Sequence, residues 1–354
     1  MSTVTIVGAG LMGTAVAWPL ADNGHQVRLV GTHLDAEIIR SCQEKRYHPR
    51  LGRMLPDGVQ PYYVEQLAQA LQGADVIVSG VNSLGVHWIG RTLGPLLWPG
   101  ATIIAVTKGL EATEHGELRI LPDVLRDELP PALRDRVTIA AIGGPCIAGE
   151  LAGRRQTCVV FASRDRGTLE RLRGIFATDY YHIWLSDDLI GVEMCAALKN
   201  AYTMAVGLAG GLLERTGGVD VAGAGMHNLA AALFGVSASE MTRVVALAQG
   251  QPGKVAGLPG VGDEYVTCVG GRTIRLGRLL GRGLSFDQAQ AEMAGETLES
   301  AYVVRQIAAA LPAWDSRGLI APDELPLLRM LCRVITEGAP VTIPFDHFFG
   351  GPWL

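Results

Sequence analysis

Aromatic residues supply only 6% of this 354-residue chain and charged residues only 18%. Neither sign of charge predominates, since 30 Lys and Arg stand against 35 Asp and Glu, a formal net charge of −5 at pH 7. With no basic surplus to neutralise a phosphate backbone, nucleic acid is not expected as a partner. The six cysteines (Cys42, Cys146, Cys158, Cys195, Cys268, Cys332) form no CxxC pair, and none has metal-ligand spacing with a histidine. That excludes a disulfide scaffold at this size, offers no metal site, and points to reduced thiols in the cytoplasm. Long apolar runs are also missing. Ala201–Leu213, the longest worth testing, is too short for a bilayer and is broken by Thr203, Gly207, Gly210 and Gly211, so no membrane span is expected. The first apolar stretch, Val4–Val7, has no cationic region before it and ends at glycines, which suits a strand and not a secretion signal.

What is present is 48% apolar residues and a mean hydropathy of +0.24, enough to bury the cores of about two domains and to exclude a disordered chain. The first half alternates apolar β-type runs with helical stretches. Strands are expected at Thr3–Val7, Gln26–Val30, Asp75–Gly80, Ala101–Val106, Val137–Ile142 and Thr157–Ala162. Several are apolar throughout, as strands covered on both faces of a parallel sheet are. Helices fall between them at Gly13–Asn23, Val64–Gln72 and Glu117–Glu128. From Asp187 the rhythm changes. Asp187 and Asp188 can cap a long helix, and further helices are expected at Met226–Phe234, Ser237–Ala248, Thr273–Leu280, Ser285–Ala294, Leu298–Leu311 and Pro322–Glu337. The expected architecture is an α/β Rossmann-type doubly wound domain over 1–187 followed by an all-α substrate domain over 188–354. Two Gly-rich stretches, Gly207–Gly225 and Gly250–Gly271, are expected to be turns lining a site.

The chemistry is carried by a few positions. Gly8-Ala9-Gly10-Leu11-Met12-Gly13 follows the first strand and opens a helix. Gly8 suits the tight turn, Gly10 lets backbone amides approach a pyrophosphate, and Gly13 allows close helix–strand packing. The second strand ends in Val30-Gly31-Thr32-His33, with the first acid only at Asp35. An uncharged strand end leaves room for a 2′-phosphate, with Thr32 and His33 as donors, so NADP is allowed beside NAD. Lys108 follows the strand Ala101–Val106, at a carboxyl strand end where such sheets bind ligands. Lys199 lies among small and apolar neighbours of the long helix, where desolvation would ready its ammonium for proton exchange. Asp263, in a Gly-rich turn before Thr267, can keep that lysine charged and oriented. Arg272, Arg275, Arg278 and Arg282 can share one helix face, a solvated one for the last two, while Arg272 beside Gly270 and Gly271 can grip a phosphate.

GAGLMG, TKGLE, GGPCIAGE, VEMCAALKN and GVGDEYVTC, together with Tyr47–Leu55, occur in order and over nearly the whole chain. In this the sequence resembles the NAD(P)-dependent glycerol-3-phosphate dehydrogenases. The resemblance implies that Gly8, Gly10, Leu11, Met12 and Gly13 cradle NAD or NADP, with Ala148 and Glu299 near it. It implies that Lys108 touches both cofactor and substrate, and that Gly144 and Cys146 lie at the substrate. Lys199, with Asn200 beside it, becomes the proton donor and acceptor, supported by Asp263 and Thr267. Gly271, Arg272 and Thr273 hold the substrate phosphate, with Arg272 also placed at the cofactor. The pattern departs from the family mainly around the substrate: Cys146 replaces Ser, Glu264 replaces Leu, and Gly271-Arg272-Thr273 replaces Ser-Arg-Asn. Met12, Val236 and Ser300 also differ from the family's usual residues.

The expected reaction is hydride transfer between sn-glycerol 3-phosphate and dihydroxyacetone phosphate, Lys199 exchanging the proton in a water-poor cleft between the domains. The altered phosphate run leaves open a dehydrogenase of another phosphorylated polyol or hydroxy acid. A dinucleotide-binding sensor without turnover is a second alternative, against which Lys108, Lys199 and Asp263 together argue. A small phosphorylated substrate and a homodimer are the expected partners.

Overall fold

Eight segments pair into one sheet in the computed structural model of the chain, which describes residues 1–349. They are β1 (Thr3–Val7), β2 (Gln26–Val30), β3 (Val59–Tyr62), β4 (Val76–Ser79), β5 (Thr102–Ala105), β6 (Thr138–Gly143), β7 (Thr157–Ala162) and β8 (Tyr181–Ser186). Their spatial order is β8-β7-β6-β5-β4-β1-β2-β3, parallel throughout except between β6 and β7. Successive side chains of a strand point to opposite faces, and the core divides accordingly. Val78 and Ile104 join Ile6, Leu29 and Phe161 in one buried cluster, while their neighbours Ile77 and Ile103 join Val7, Val30 and Ile89 in another. All residues of β4 and β5 are buried, which is why these strands are apolar without alternation.

The six strands expected from sequence are present. β3 and β8 are additional. Pro61 in β3 cannot donate to a ladder and is tolerated because the strand lies at the sheet's edge. At the opposite edge, β8 exposes His182 and Trp184 between buried residues and so lacks a continuous apolar run. The helix expected at Val64–Gln72 is a 3-10 turn, Val64–Gln66, leading into a helix over Leu67–Leu71.

The chain forms two compact units. One comprises Met1–Lys108 and Ile120–Glu193, the other Gly109–Arg119 and the residues from Met194 on. The excursion at Gly109–Arg119 corrects the expectation of an all-helical second unit and of a helix beginning at Glu117. Leu110–Ala112 and Leu118–Ile120 form a short two-stranded sheet. The Ala112 amide donates to Gln306 Oε1 (2.8 Å), and Trp314 Nε1 donates to the Gly116 carbonyl (2.7 Å).

In the first unit α1 spans Leu11–Ala15. The second unit contains all but the first turn of α2 (Leu189–Arg215), together with α3 (His227–Leu247), α4 (Asp263–Cys268), α5 (Arg272–Gly281) and α6 (Glu299–Ser316). Asp188 Oδ1 accepts the Gly191 amide at the start of α2 (2.8 Å), the capping expected there. Two helices expected at Met226–Phe234 and Ser237–Ala248 are one, α3. Gly207, Gly210 and Gly211 lie within α2 and are not turns. Cβ atoms built on Gly207, Gly277 and Gly281 would stand 2.5, 1.9 and 2.3 Å from backbone carbonyl oxygens of the facing helix, so these glycines let α2 and α5 touch. Among the described residues, α3 is the one helix long and apolar enough by composition to cross a bilayer. Here Met241, Val244 and Val245 of α3 are buried, and buried Glu240 caps the helix Pro326–Thr336 through the amides of Leu327 (2.7 Å) and Leu328 (2.9 Å).

Candidate active site

The glycine turn of the first unit sits where the sheet order reverses, between β1 and β4, the position at which such sheets accept ligands. Gly8 has φ +114°, and a Cβ on it would stand 2.7 Å from the Gly80 carbonyl carbon. A Cβ on Gly13 would stand 2.6 Å from Gly8 O. Both glycines are therefore required by packing. Gly10 differs: its nearest atom would be Gly80 O at 3.6 Å, an ordinary contact, so the backbone there is open for something other than protein. Gly10 also begins α1, whose first turn has no side-chain cap. Leu11 is exposed and Met12 packs against the core. A phosphate cradle fits this geometry.

The end of β2 is tied to this turn by Asp35. One carboxylate oxygen of Asp35 accepts the Thr32 amide (2.8 Å), the Thr32 hydroxyl (2.8 Å) and the Ala9 amide (3.2 Å). The first acid after the strand end is thus buried and turned inward, and Thr32 donates to it. His33 is exposed and stacks edge-on against Trp88, with ring centroids 5.3 Å apart. His48 reinforces the turn from beneath. Its Nδ1 accepts the Leu51 amide (3.0 Å), which puts the proton on Nε2, 3.0 Å from Ala9 O. Burial pulls its pKa below the ordinary histidine range.

Lys108, just beyond β5, is half-buried, and its Nζ lies 3.4 Å from the carbonyl of Gly144, just beyond β6. Gly144 adopts φ +104°, while Cys146 and Ala148 pack partly buried against the sheet's core. Glu193 is a residue that sequence reasoning passed over as part of a helix start. It is wholly buried, neither carboxyl oxygen has a hydrogen-bond partner, and burial pushes its pKa up to about 8 against the pull of the Lys108 charge.

In the second unit, the sequence brings a lysine and a carboxylate together as expected. Lys199 of α2 is 7% exposed and Asp263 of α4 is 1% exposed. Lys199 Nζ donates to Asp263 Oδ1 and to Thr267 Oγ1 (3.0 Å), and the Thr267 hydroxyl donates to the Asp263 carbonyl (2.6 Å). Asp263 and Thr267 are four apart, so one turn of α4 presents both to the lysine. A π-turn over Leu258–Gly262 delivers Asp263 to this position, and a Cβ on Gly260 would stand 2.1 Å from Val255 O. Asn200 beside Lys199 is buried.

The arginine row of α5 is not a free cationic face. Arg275 pairs with Glu296 (2.7 Å), and Arg278 and Arg282 both reach Glu214, the latter at 3.5 Å. Arg272 is exposed, 3.9 Å from Glu299, and follows Gly271, which starts α5 at φ +104° with Thr273 close behind. Arg272 and Glu299, both placed at the cofactor by resemblance, are thus neighbours. No group of His, Cys, Asp and Glu that could hold a metal occurs among the described residues, and none of the six cysteines forms a disulfide.

Comparison with known proteins adds an independent line. Residues 3–169 match the family profile described as NAD-dependent glycerol-3-phosphate dehydrogenase N-terminus, and residues 188–345 match that of the C-terminus. An NADP(+)-dependent glycerol-3-phosphate dehydrogenase of Archaeoglobus fulgidus is 36% identical over 338 residues, covering 96% of both chains. A glycerol-3-phosphate dehydrogenase [NAD(P)+] of Geobacillus thermodenitrificans is 31% identical over 343 residues, covering 96% of this chain and 92% of that one. A crystal structure of glycerol-3-phosphate dehydrogenase from Coxiella burnetii superimposes with a TM-score of 0.80 at 28% identity, covering 98% of this chain and 97% of that one.

Proposed function

This chain belongs to the NAD-dependent glycerol-3-phosphate dehydrogenase family, and on that premise we propose that it interconverts sn-glycerol 3-phosphate and dihydroxyacetone phosphate. It is an NAD(P)-dependent oxidoreductase acting on a CH–OH group, and its substrate is a small phosphorylated compound. The observation that carries the assignment of roles is the buried ammonium of Lys199, held between Asp263 and Thr267.

When bound, the nicotinamide supplies or accepts the hydride at the carbon that changes oxidation state. Gly8, Gly10 and Gly13, with the uncapped amides of Leu11 and Met12, receive the pyrophosphate. Ala148 and Glu299 would lie at the cofactor, and Thr32 and His33 at its ribose. In ketone reduction, Lys199 Nζ gives its proton to the oxygen that becomes the alcohol; in oxidation it takes that proton back. Asp263 and Thr267 fix the direction of the N–H bonds, so the donor needs no reorganisation as charge develops on the oxygen. Lys108, Gly144, Cys146 and Asn200 position the reacting end of the substrate. Arg272, with the backbone of Gly271 and the Thr273 side chain, binds its phosphate, a charge-assisted contact suited to a guanidinium at a helix start.

Homodimerisation is part of the same proposal, supported by how common two-fold dimers are among soluble enzymes. So is a cytoplasmic location, supported by six cysteines without a disulfide. The test is to follow NADH and NADPH absorbance with dihydroxyacetone phosphate and with non-phosphorylated ketones. Turnover on the phosphorylated ketone with one or both nucleotides is expected. Better turnover on a longer or non-phosphorylated ketone would overturn the substrate.

A further inference from the structure

Glu264 follows Asp263 on α4, is wholly buried, and has no hydrogen-bond partner on either carboxyl oxygen. An ionised carboxylate without donors is a costly thing to bury, whereas a carboxylic acid carries its own donor. The group it faces on α3 is the Ser237 hydroxyl. That hydroxyl already donates to the Leu233 carbonyl (2.7 Å), so towards Glu264 it can only accept. A hydrogen bond between the two therefore requires the proton on Glu264.

The other groups facing Glu264 are Lys199 and Tyr202 from α2 and Cys268 one turn along α4. Glu240 of α3 lies behind Tyr202, accepting its hydroxyl at 3.2 Å. Lys199 thus brings a positive charge beside Asp263, an ionisable Glu264, the buried Tyr202 phenol and the partly buried Cys268 thiol. Burial pushes the Glu264 carboxyl up to about 8, the Lys199 charge pulling it the other way, and pushes the Cys268 thiol up to about 11.

We propose that Glu264 is a proton-bearing positioning residue for Lys199: protonated, it adds no charge beside the Lys199–Asp263 pair, and on losing its proton it adds a negative charge that keeps the ammonium protonated. The inference rests on Lys199 as the proton donor. In ketone reduction the lysine must arrive as an ammonium, so kcat/KM falls in alkaline solution where the ammonium is lost. A charge arising on Glu264 over the same range delays that loss. The two ionisations are coupled, and the limb belongs to the pair.

The experiment is the pH profile of kcat/KM for ketone reduction by the full-length enzyme and by Glu264→Gln, which keeps size and polarity but cannot gain a charge. The midpoint of the alkaline limb is expected to fall by about one pH unit or more in Glu264→Gln, the effect of a nearby charge. A purely structural role would lower the profile without moving its midpoint, and an unmoved midpoint overturns the proposal. Infrared difference spectra give a readout that needs no turnover. A component of the protonated-carboxyl absorption present in the wild type below neutral pH should fade in alkaline solution, be missing from Glu264→Gln while those of Glu193 and Glu240 remain, and change frequency in Ser237→Ala. If Glu264→Gln does not fold, the Ser237→Ala spectrum decides, and an unchanged band overturns the proposal. Full turnover by Lys199→Ala would instead sink the proton-donor assignment, leaving the infrared band as it was.

Discussion

A Cβ built on Gly211 would stand 2.0 Å from the carbonyl oxygen of Arg278, so α2 and α5 meet there backbone to backbone. The neighbouring Gly210 is different: its Cβ would meet only the Arg278 side chain, at 3.8 Å. In a helix interior, replacing glycine by alanine gains about 0.5–1 kcal/mol from reduced backbone freedom in the unfolded chain. Overpacking against a backbone atom costs about 1–3 kcal/mol or more and outweighs that gain. Gly211→Ala should therefore lower the melting temperature and Gly210→Ala should raise it slightly. Thermal unfolding of the two variants side by side checks the pair; equal effects would mean that α2 and α5 are not in contact at Gly211.

Lys199 and Asp263 are each nearly water-free, and each is the other's charge partner. Removing one takes from the other its buried charge partner, at a cost of about 3–5 kcal/mol. Asp263→Asn and Lys199→Met should each lose about that much stability and at least two orders of magnitude in kcat. The double variant should recover most of the stability, because both buried charges are removed together, and none of the activity. Chemical denaturation and steady-state kinetics on the three proteins separate the two roles. Turnover restored in the double variant would remove Lys199 from the proton path.

The carboxylate of Asp35 accepts three donors from Thr32 and Ala9, so the end of β2 presents no acid to a bound nucleotide. NADPH should be used at least as well as NADH. His33→Glu places a carboxylate at this exposed position, where it would accept from a ribose hydroxyl but repel a 2′-phosphate. The ratio of kcat/KM for NADPH over NADH should fall about tenfold or more. An unchanged ratio would put the adenosine ribose elsewhere.

Much of this was legible in the sequence because the signals were local. Val4–Val7 running into Gly8, Gly10 and Gly13 specifies a strand, a turn and a helix start within a few residues. Lys199 and Asp263 could be matched because a lysine among apolar residues demands a charge partner. What was not legible depends on contacts distant in sequence. A helix glycine that touches a carbonyl is written identically to one that ends a helix, and only the presence of α5 makes Gly207 and Gly211 packing residues. The excursion of Gly109–Arg119 into the second unit is set by Gln306 and Trp314, far along the chain. Asp35 looked like an ordinary loop acid until Ala9 came beside it. The buried Glu193 left no trace in the sequence pattern, and Glu264 showed only as a glutamate where the resembled family has leucine.

Those two carboxyls impose a pH dependence on folding. In the unfolded chain a glutamate titrates near 4.5, while in the fold burial lifts Glu193 and Glu264 to about 8 each. Between these values the native protein binds protons that the unfolded chain does not. Stability then falls as pH rises. The contribution is fully present below the unfolded value and is lost through the range up to about 8. The loss is roughly 1 kcal/mol or more per carboxyl for every step of one in pH across that range. The melting temperature should decline steadily from mildly acidic to mildly alkaline buffer. Glu193→Gln and Glu264→Gln should each flatten the decline, and together flatten it additively, because they lie in different units. Melting temperatures that rise over this range would mean that both carboxyls are ionised in the native protein.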